Sequence, residues 1–349
     1  MEKKVTILSI DGGGIRGIIP AMILDYIERE LRDKTGNSKA ILSDYFDLVA
    51  GTSTGGILAC YYLHPNRFPA SDAIDIYEKR GKEIFKNKFL RFGFAKEKYP
   101  AIGLEKVLKE IMGDYTLAQS LKNCMITAYD VTKRKAVLFT SPEAREPDSK
   151  KNYLLREVAR ATSAAPTYFE IAALNPYNSI EEHMIDGAMY ANNPVMCAVV
   201  EANKTDYEFC PNPSFKDLFV VSVGTGKDKK EIDYKKAKGW GAIGWVQPVI
   251  GILLSASAEV VHYQMKQVFE VAGFPKSYVR LEPKLTDAKF DMDDASKENI
   301  NRLKKDADRF IKGEIIDYDD DDDDDDRPKT TKEQMDKMID RLIEIKGHI

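Results

Sequence analysis

Short apolar runs alternate with amphipathic stretches through the first two thirds of the chain. VTILSI, FDLVA and DLFVVSVGTG are near-continuous apolar runs. That pattern predicts strands buried on both faces of a parallel sheet. IIPAMILDYIEREL lies between the first two, with Ile19, Ile23, Tyr26, Ile27 and Leu31 at helical spacing, and GGILACYYL opens the next helix. Further on, NCMITAYDV and AVLFTS read as strands, MIDGA as a strand end, and YLLREVARATSA and NPVMCAVVEA as helices. Strand, crossover helix and strand in this order predict a parallel sheet covered on both faces. No internal repeat interrupts the order.

The pattern changes downstream. Residues 248–269 read as one long, largely apolar helix with Pro248 near its first turn, where a missing N–H costs nothing. After KENINRLKKDADRFIKG comes an aspartate run, then TKEQMDKMIDRLIEIKGHI. In that tail Met335, Met338, Ile339, Leu342, Ile343 and Ile345 form one apolar stripe. It predicts an amphipathic helix that docks on the body or on a second copy of the chain, giving a homo-oligomer. The aspartates repel one another and bury nothing, so residues 314–330 read as a solvated linker. Bare Asp repeats lack the glycine turn and bidentate glutamate of a calcium loop.

Composition narrows the class. The chain has 349 residues, 43% hydrophobic and 31% charged, which is ordinary globular composition and long enough for a large core without disulfides. The net charge of −4 hides an asymmetry. Asp317 and Asp319 to Asp326 carry −9, so the remainder is +5. A mildly basic body tolerates an anionic membrane surface and is too weakly charged for nucleic acid. Four scattered cysteines, with no CxxC pair, read as reduced thiols of a cytoplasmic chain. The four histidines show no metal-ligand spacing. The N-terminus lacks the apolar length of a signal peptide, and no run of about 18 apolar residues predicts a membrane span. No cofactor or metal is expected.

Three motifs carry the chemistry. Asp11-Gly12-Gly13-Gly14-Ile15-Arg16-Gly17 lies between a strand and a helix. Its bare N–H groups at a helix start favour an anion, either a dinucleotide pyrophosphate or the oxyanion of acyl transfer. Gly51-Thr52-Ser53-Thr54-Gly55 decides between them. It is G-x-S-x-G at a strand-to-helix turn, the setting of an exposed nucleophilic serine, where a dinucleotide fold would end its second strand in an acid. Taken by itself, it could also be a glycine-rich helix cap.

The third motif is Asp186-Gly187-Ala188. A serine nucleophile needs a base within hydrogen-bond reach. His64 falls at the far end of the helix that begins after Ser53, roughly 16 Å away at about 1.5 Å per residue. His183 lies on the pleat face opposite Asp186, His262 in the long apolar helix, and His348 in the tail. None has a triad context, whereas Asp186 can act directly as the base. Its plainer reading is a turn residue.

DGGGIRG, GTSTGG and DGA in this order resemble the patatin-like phospholipase family, of the stand-alone bacterial type. ATSAAPTYF, VSVGTG and YDVTKRKAVLF resemble further family segments, the last its paired central strands. The match spans about residues 5 to 226, the catalytic core; residues 227–313 complete the domain, and residues 331–349 form the tail helix. The resemblance implies a three-layer α/β/α sandwich with a mostly parallel central sheet, related to cytosolic phospholipase A2. It also implies metal-free lipid acyl hydrolysis. Ser53 would be the nucleophile and Asp186 the base. The N–H groups of Gly12, Gly13 and Gly14 would form the oxyanion hole, and Arg16 would steady that loop or a phosphate. Gly17, Gly51, Gly55, Gly187 and Ala188 would support the turns.

Membrane phospholipid is the implied substrate, met by peripheral contact, at the inner face of the membrane for a cytoplasmic enzyme. Similarity to phospholipase effectors of cyclic-oligonucleotide antiphage signalling implies a cyclic-nucleotide activator, for which no sequence segment supplies a pocket. Acyl transfer to an alcohol would use the same residues. A non-catalytic lipid- or nucleotide-sensing module would keep the glycine loop without needing Ser53 and Asp186. GWGAIGWVQPVIGILLSASAEVVHY holds both tryptophans. It is expected to line an acyl groove, to dip into a bilayer as a lid, or to cover the core.

Overall fold

A computed structural model describes residues 3–86, 97–175, 181–227, 232–316 and 327–347. The aspartate run from 317 and His348 lie outside the described residues.

Eight strands form one sheet: β1 Val5–Ile10, β2 Leu48–Gly51, β3 Asn123–Asp130, β4 Lys135–Thr140, β5 Ala172–Leu174, β6 Glu182–Asp186, β7 Leu218–Val223 and β8 Tyr278–Leu281. The spatial order is β5-β6-β3-β2-β1-β7-β8, with β4 beside β3. The run β3-β2-β1-β7-β8 is parallel throughout. The other pairings, β3 with β4, β3 with β6 and β5 with β6, are antiparallel. β1 is central and fully buried, as a run apolar on both faces requires. β4 lies at an edge, with Lys135 and Ala136 exposed. The segment expected as paired central strands is therefore a hairpin at the sheet's margin.

Strand periodicity sorts the core into two layers. Leu8, Ile10, Val49, Ile126 and Val221 face one side. There they pack under the helices α1 Ile18–Thr35, α2 Thr54–Tyr62, α3 Ile102–Met112 and α4 Leu155–Thr162. Ile7, Leu48, Ala50, Met125 and Val220 face the other. They meet α5 Val195–Lys204 and, through Met265 and Phe269, α6 Ala242–Val271. Helices thus cover both faces, the three-layer sandwich the sequence implied.

Two C-terminal helices complete the first layer. α7 Lys297–Gly313 packs on α1. α8 Thr331–Lys346 lies across α1 and α7, burying Met335, Met338, Ile339, Leu342 and Ile345. Lys34 pairs with Asp340 at 2.7 Å and Lys346 with Asp47 at 2.5 Å. The tail's apolar stripe is therefore spent on the chain's own body. α6 begins six residues before the expected start, so Pro248 sits inside the helix and has no N–H to give the Gly244 carbonyl.

Candidate active site

Sheet topology brings two distant motifs together. β4 occupies one edge of β3 from Met125 to Asp130. On the opposite edge β2 pairs in parallel with 123–126 and β6 antiparallel with 128–130. These two strands run towards each other, and their C-terminal ends meet: Gly51 lies opposite Ile126 and Asp186 opposite Ala128. Ser53, two residues beyond Gly51, is thereby set beside Asp186.

Ser53 has φ 54° and ψ −123°. A residue with a β-carbon is strained there by about 1–3 kcal/mol, the sharp turn that G-x-S-x-G predicts. The turn closes because its flanking glycines let backbones touch. A β-carbon on Gly51 would meet the Gly55 carbonyl, and one on Gly55 the Ile10 carbonyl. The Ser53 N–H donates to Thr162 Oγ1 at 2.8 Å. The Asp186 N–H donates to the Ala164 carbonyl at 3.0 Å. One segment, the start of ATSAAP, thus braces both residues.

Asp186 is 2% exposed. The Ser53 side chain lies close enough to draw its pKa down, and the Ala188 N–H donates to its Oδ1 at 2.8 Å. Burial lifts the carboxyl from its ordinary 3.8 to about 7, against the pull of Ser53 and of the Ala188 N–H. Gly187 packs its bare Cα against Thr127.

The glycine loop leaves β1 beside this pair. Its N–H groups have divided fates. Gly12 donates to the Asn192 carbonyl at 3.0 Å, and Ile15 to the Met292 carbonyl at 2.8 Å. Those of Gly13 and Gly14 donate to no acceptor among the described residues, and both residues line a pocket with Ser53. Of the three N–H groups expected as oxyanion donors, that of Gly12 is already bonded, which leaves those of Gly13 and Gly14. Arg16 is buried; it donates to the carbonyls of Gly13 (3.3 Å) and Gly226 (3.1 Å) and stacks 3.9 Å over the Phe290 ring. It steadies the loop and does not line the pocket. Gly17 packs against Thr54 and Tyr77.

The pocket encloses roughly 890 Å³ of empty space, its open mouth included. Its walls are mainly apolar, with Ile57, Ile76, Phe85, Leu104, Phe169 and Leu254 among them. The lining suits a ligand with an extended apolar portion. No described histidine lines it. His64 stacks on Phe68, His183 bonds Thr132 and Glu181 at the surface, and His262 bonds the Tyr278 hydroxyl at 3.0 Å. Burial lowers His262 to about 4.

The patatin-like phospholipase family model matches residues 8–199, more than half of the chain, a span that holds all three motifs. The chain belongs to this family. Patatin-like protein 2 of Arabidopsis thaliana is 34% identical over 340 residues, covering 88% of this chain and 83% of that protein. Patatin-like protein 2 of Oryza sativa subsp. indica is 35% identical over 338 residues, covering 87% and 82%. Patatin-07 of Solanum tuberosum is 33% identical over 336 residues, covering 89% and 85%. Membership makes the chain an enzyme of the lipid acyl hydrolase class.

Several residues of this patatin-like site carry no signal of their own in the sequence. Thr225 donates to the Gly12 carbonyl at 2.7 Å, so VSVGTG serves as a prop for the glycine loop. Arg280 on β8 pairs with Asp11 (2.5 Å) and Glu282 and donates to Ser222 Oγ (2.7 Å), fixing the loop's first residue. Ile250 and Leu254 of α6 reach the pocket, while Trp245, Val249, Ile252 and Leu253 of the same helix are exposed. Among the described residues no helix is long and apolar enough to cross a membrane.

Proposed function

We propose that this enzyme hydrolyses acyl esters of membrane phospholipid, with Ser53 as nucleophile and Asp186 as its only base. The observation that carries the reading is Ser53 and the buried Asp186 side by side in one apolar pocket, beside two unbonded loop N–H groups. Asp186, with its carboxyl raised to about 7, is a competent base at neutral pH. It takes the hydroxyl proton as Ser53 Oγ attacks the ester carbonyl. The N–H groups of Gly13 and Gly14 hold the oxyanion, fixed in place by Arg16 and Thr225, so little reorganisation accompanies the reaction. Asp186 then protonates the leaving alcohol, and water resolves the acyl-enzyme.

The outer face of α6 supports contact with a lipid surface. From Gly239 to Ala258 the chain holds no charged residue, and the exposed side chains of this stretch adjoin those that line the pocket. The test is hydrolysis of a soluble ester by Ser53→Ala, Asp186→Asn and the double variant. Each single change should remove nearly all activity, and the double should be little worse, because the two groups act as a unit. Substantial activity in Asp186→Asn would overturn the assignment.

A further inference from the structure

Asn192 follows the single helical turn Ala188–Ala191 that begins just after Asp186. It is 6% exposed and lines the pocket. Its backbone carbonyl accepts the Gly12 N–H, and its Nδ2 donates to the Leu254 carbonyl of α6 at 3.4 Å. Its Oδ1 has no hydrogen-bond partner. A β-carbon on Gly12 would come within 2.4 Å of that Oδ1 and 3.3 Å of Ser53 Cβ, so the free oxygen is one small group away from the serine. A buried amide oxygen without a donor is costly, by roughly 1–3 kcal/mol. The oxygen is closed to solvent in this structure, so a water reaches it only as the pocket wall gives way around the acyl-enzyme.

We propose that Asn192 Oδ1 holds the water that resolves the acyl-enzyme. The inference rests on the hydrolase reading above. In this step the water oxygen bonds to the acyl carbon. One of its protons passes to Asp186, and the other is held by Asn192 Oδ1. As the tetrahedral intermediate collapses, the ester bond to Ser53 Oγ breaks, Ser53 recovers a proton from Asp186, and the fatty acid leaves. Asn192 has no part in the first attack, where Ser53 is its own nucleophile. Its loss should therefore slow the second half of the cycle selectively.

The test is Asn192→Leu, which keeps the branching and the number of side-chain heavy atoms, and the backbone bond to Gly12. With a chromogenic acyl ester, kcat should fall about tenfold, the worth of one hydrogen bond in an apolar site. KM should fall in parallel, leaving kcat/KM nearly unchanged. Intact-mass measurement should find acyl-Ser53 accumulating in the variant. Hydroxylamine, added to isolated acyl-enzyme, should restore release in the variant more than in the parent. An equal fall in kcat and kcat/KM without accumulation would overturn the proposal, as would unchanged deacylation. A milder change, Asn192→Ser, should fall between the two and applies the same test if leucine disturbs folding. If the parent enzyme forms no acyl-Ser53, the hydrolase reading fails as well. If the parent forms it and the variants release it equally fast, only the role of Asn192 fails.

Discussion

Replacing Asp186 by asparagine should stabilise the protein while disabling it. The carboxyl is buried, and its pKa is raised from 3.8 to about 7. Such a group favours the fold when protonated. Its contribution is complete below the unfolded value and is lost as pH rises to the folded value. At about 1.4 kcal/mol per tenfold change in proton affinity, ionised Asp186 costs the fold about 4 kcal/mol above pH 7. Asparagine carries no charge and keeps an oxygen for the Ala188 N–H. The gain should therefore be small at pH 4, grow through pH 5 and 6, and level off above 7. For a chain of this length the full difference amounts to roughly 5 °C in Tm. Urea or thermal unfolding of parent and variant at pH 4 to 8 measures it. A gain independent of pH, or a variant less stable than the parent at pH 8, would refute the burial argument.

Three further outcomes follow from the same structure. On an uncharged soluble ester, kcat/KM should rise with pH through a midpoint near 7 and level off above it, as the Asp186 base ionises; a flat profile from pH 5 to 8 would exclude it as the base. Leu342→Ala, at a fully buried position on α8, should cost about 2–5 kcal/mol in denaturation. It should leave KM for a small ester unchanged, because α8 lines no part of the pocket. Ile252→Glu with Leu253→Glu removes two exposed apolar side chains of α6 worth about 1.5–3 kcal/mol each when buried in lipid. Vesicle hydrolysis should drop at least about tenfold while soluble-ester activity holds; equal losses on both substrates would place the defect in the pocket.

Elements set by local pattern were legible in the sequence. The apolar runs VTILSI, FDLVA and DLFVVS read as strands buried on both faces, and the serine elbow announces itself because its glycines are dictated by backbone crowding. What stayed hidden depends on contacts between distant segments. Gly12 was expected to offer its N–H, but Asn192, far along the chain, takes it. Nothing local distinguishes Arg280 from any surface arginine until β8 pairs beside β7 and sets it against Asp11. The amphipathic stripe of residues 331–349 revealed that something covers it. That α1 and α7 do so follows only from where those helices lie. For α6, both faces of the first half are apolar, so hydropathy could not separate the face towards the pocket from the face towards solvent.

Because β2 and β6 abut on one edge of β3, a single strand acts as the common ruler for nucleophile and base. Their spacing is set by the two-residue step from Ile126 to Ala128, not by the long stretches of chain that connect them. Insertions, deletions or even a circular permutation in the connections between β2 and β3, or between β4 and β5, would leave that spacing untouched if they spare the serine elbow and the brace at Thr162 and Ala164. A one-residue slip of either strand along β3 would destroy it. The architecture therefore separates what can drift from what cannot. Pocket walls built from the connecting helices are free to be reshaped for other acyl chains, while the reacting pair stays pinned to three consecutive residues of one strand.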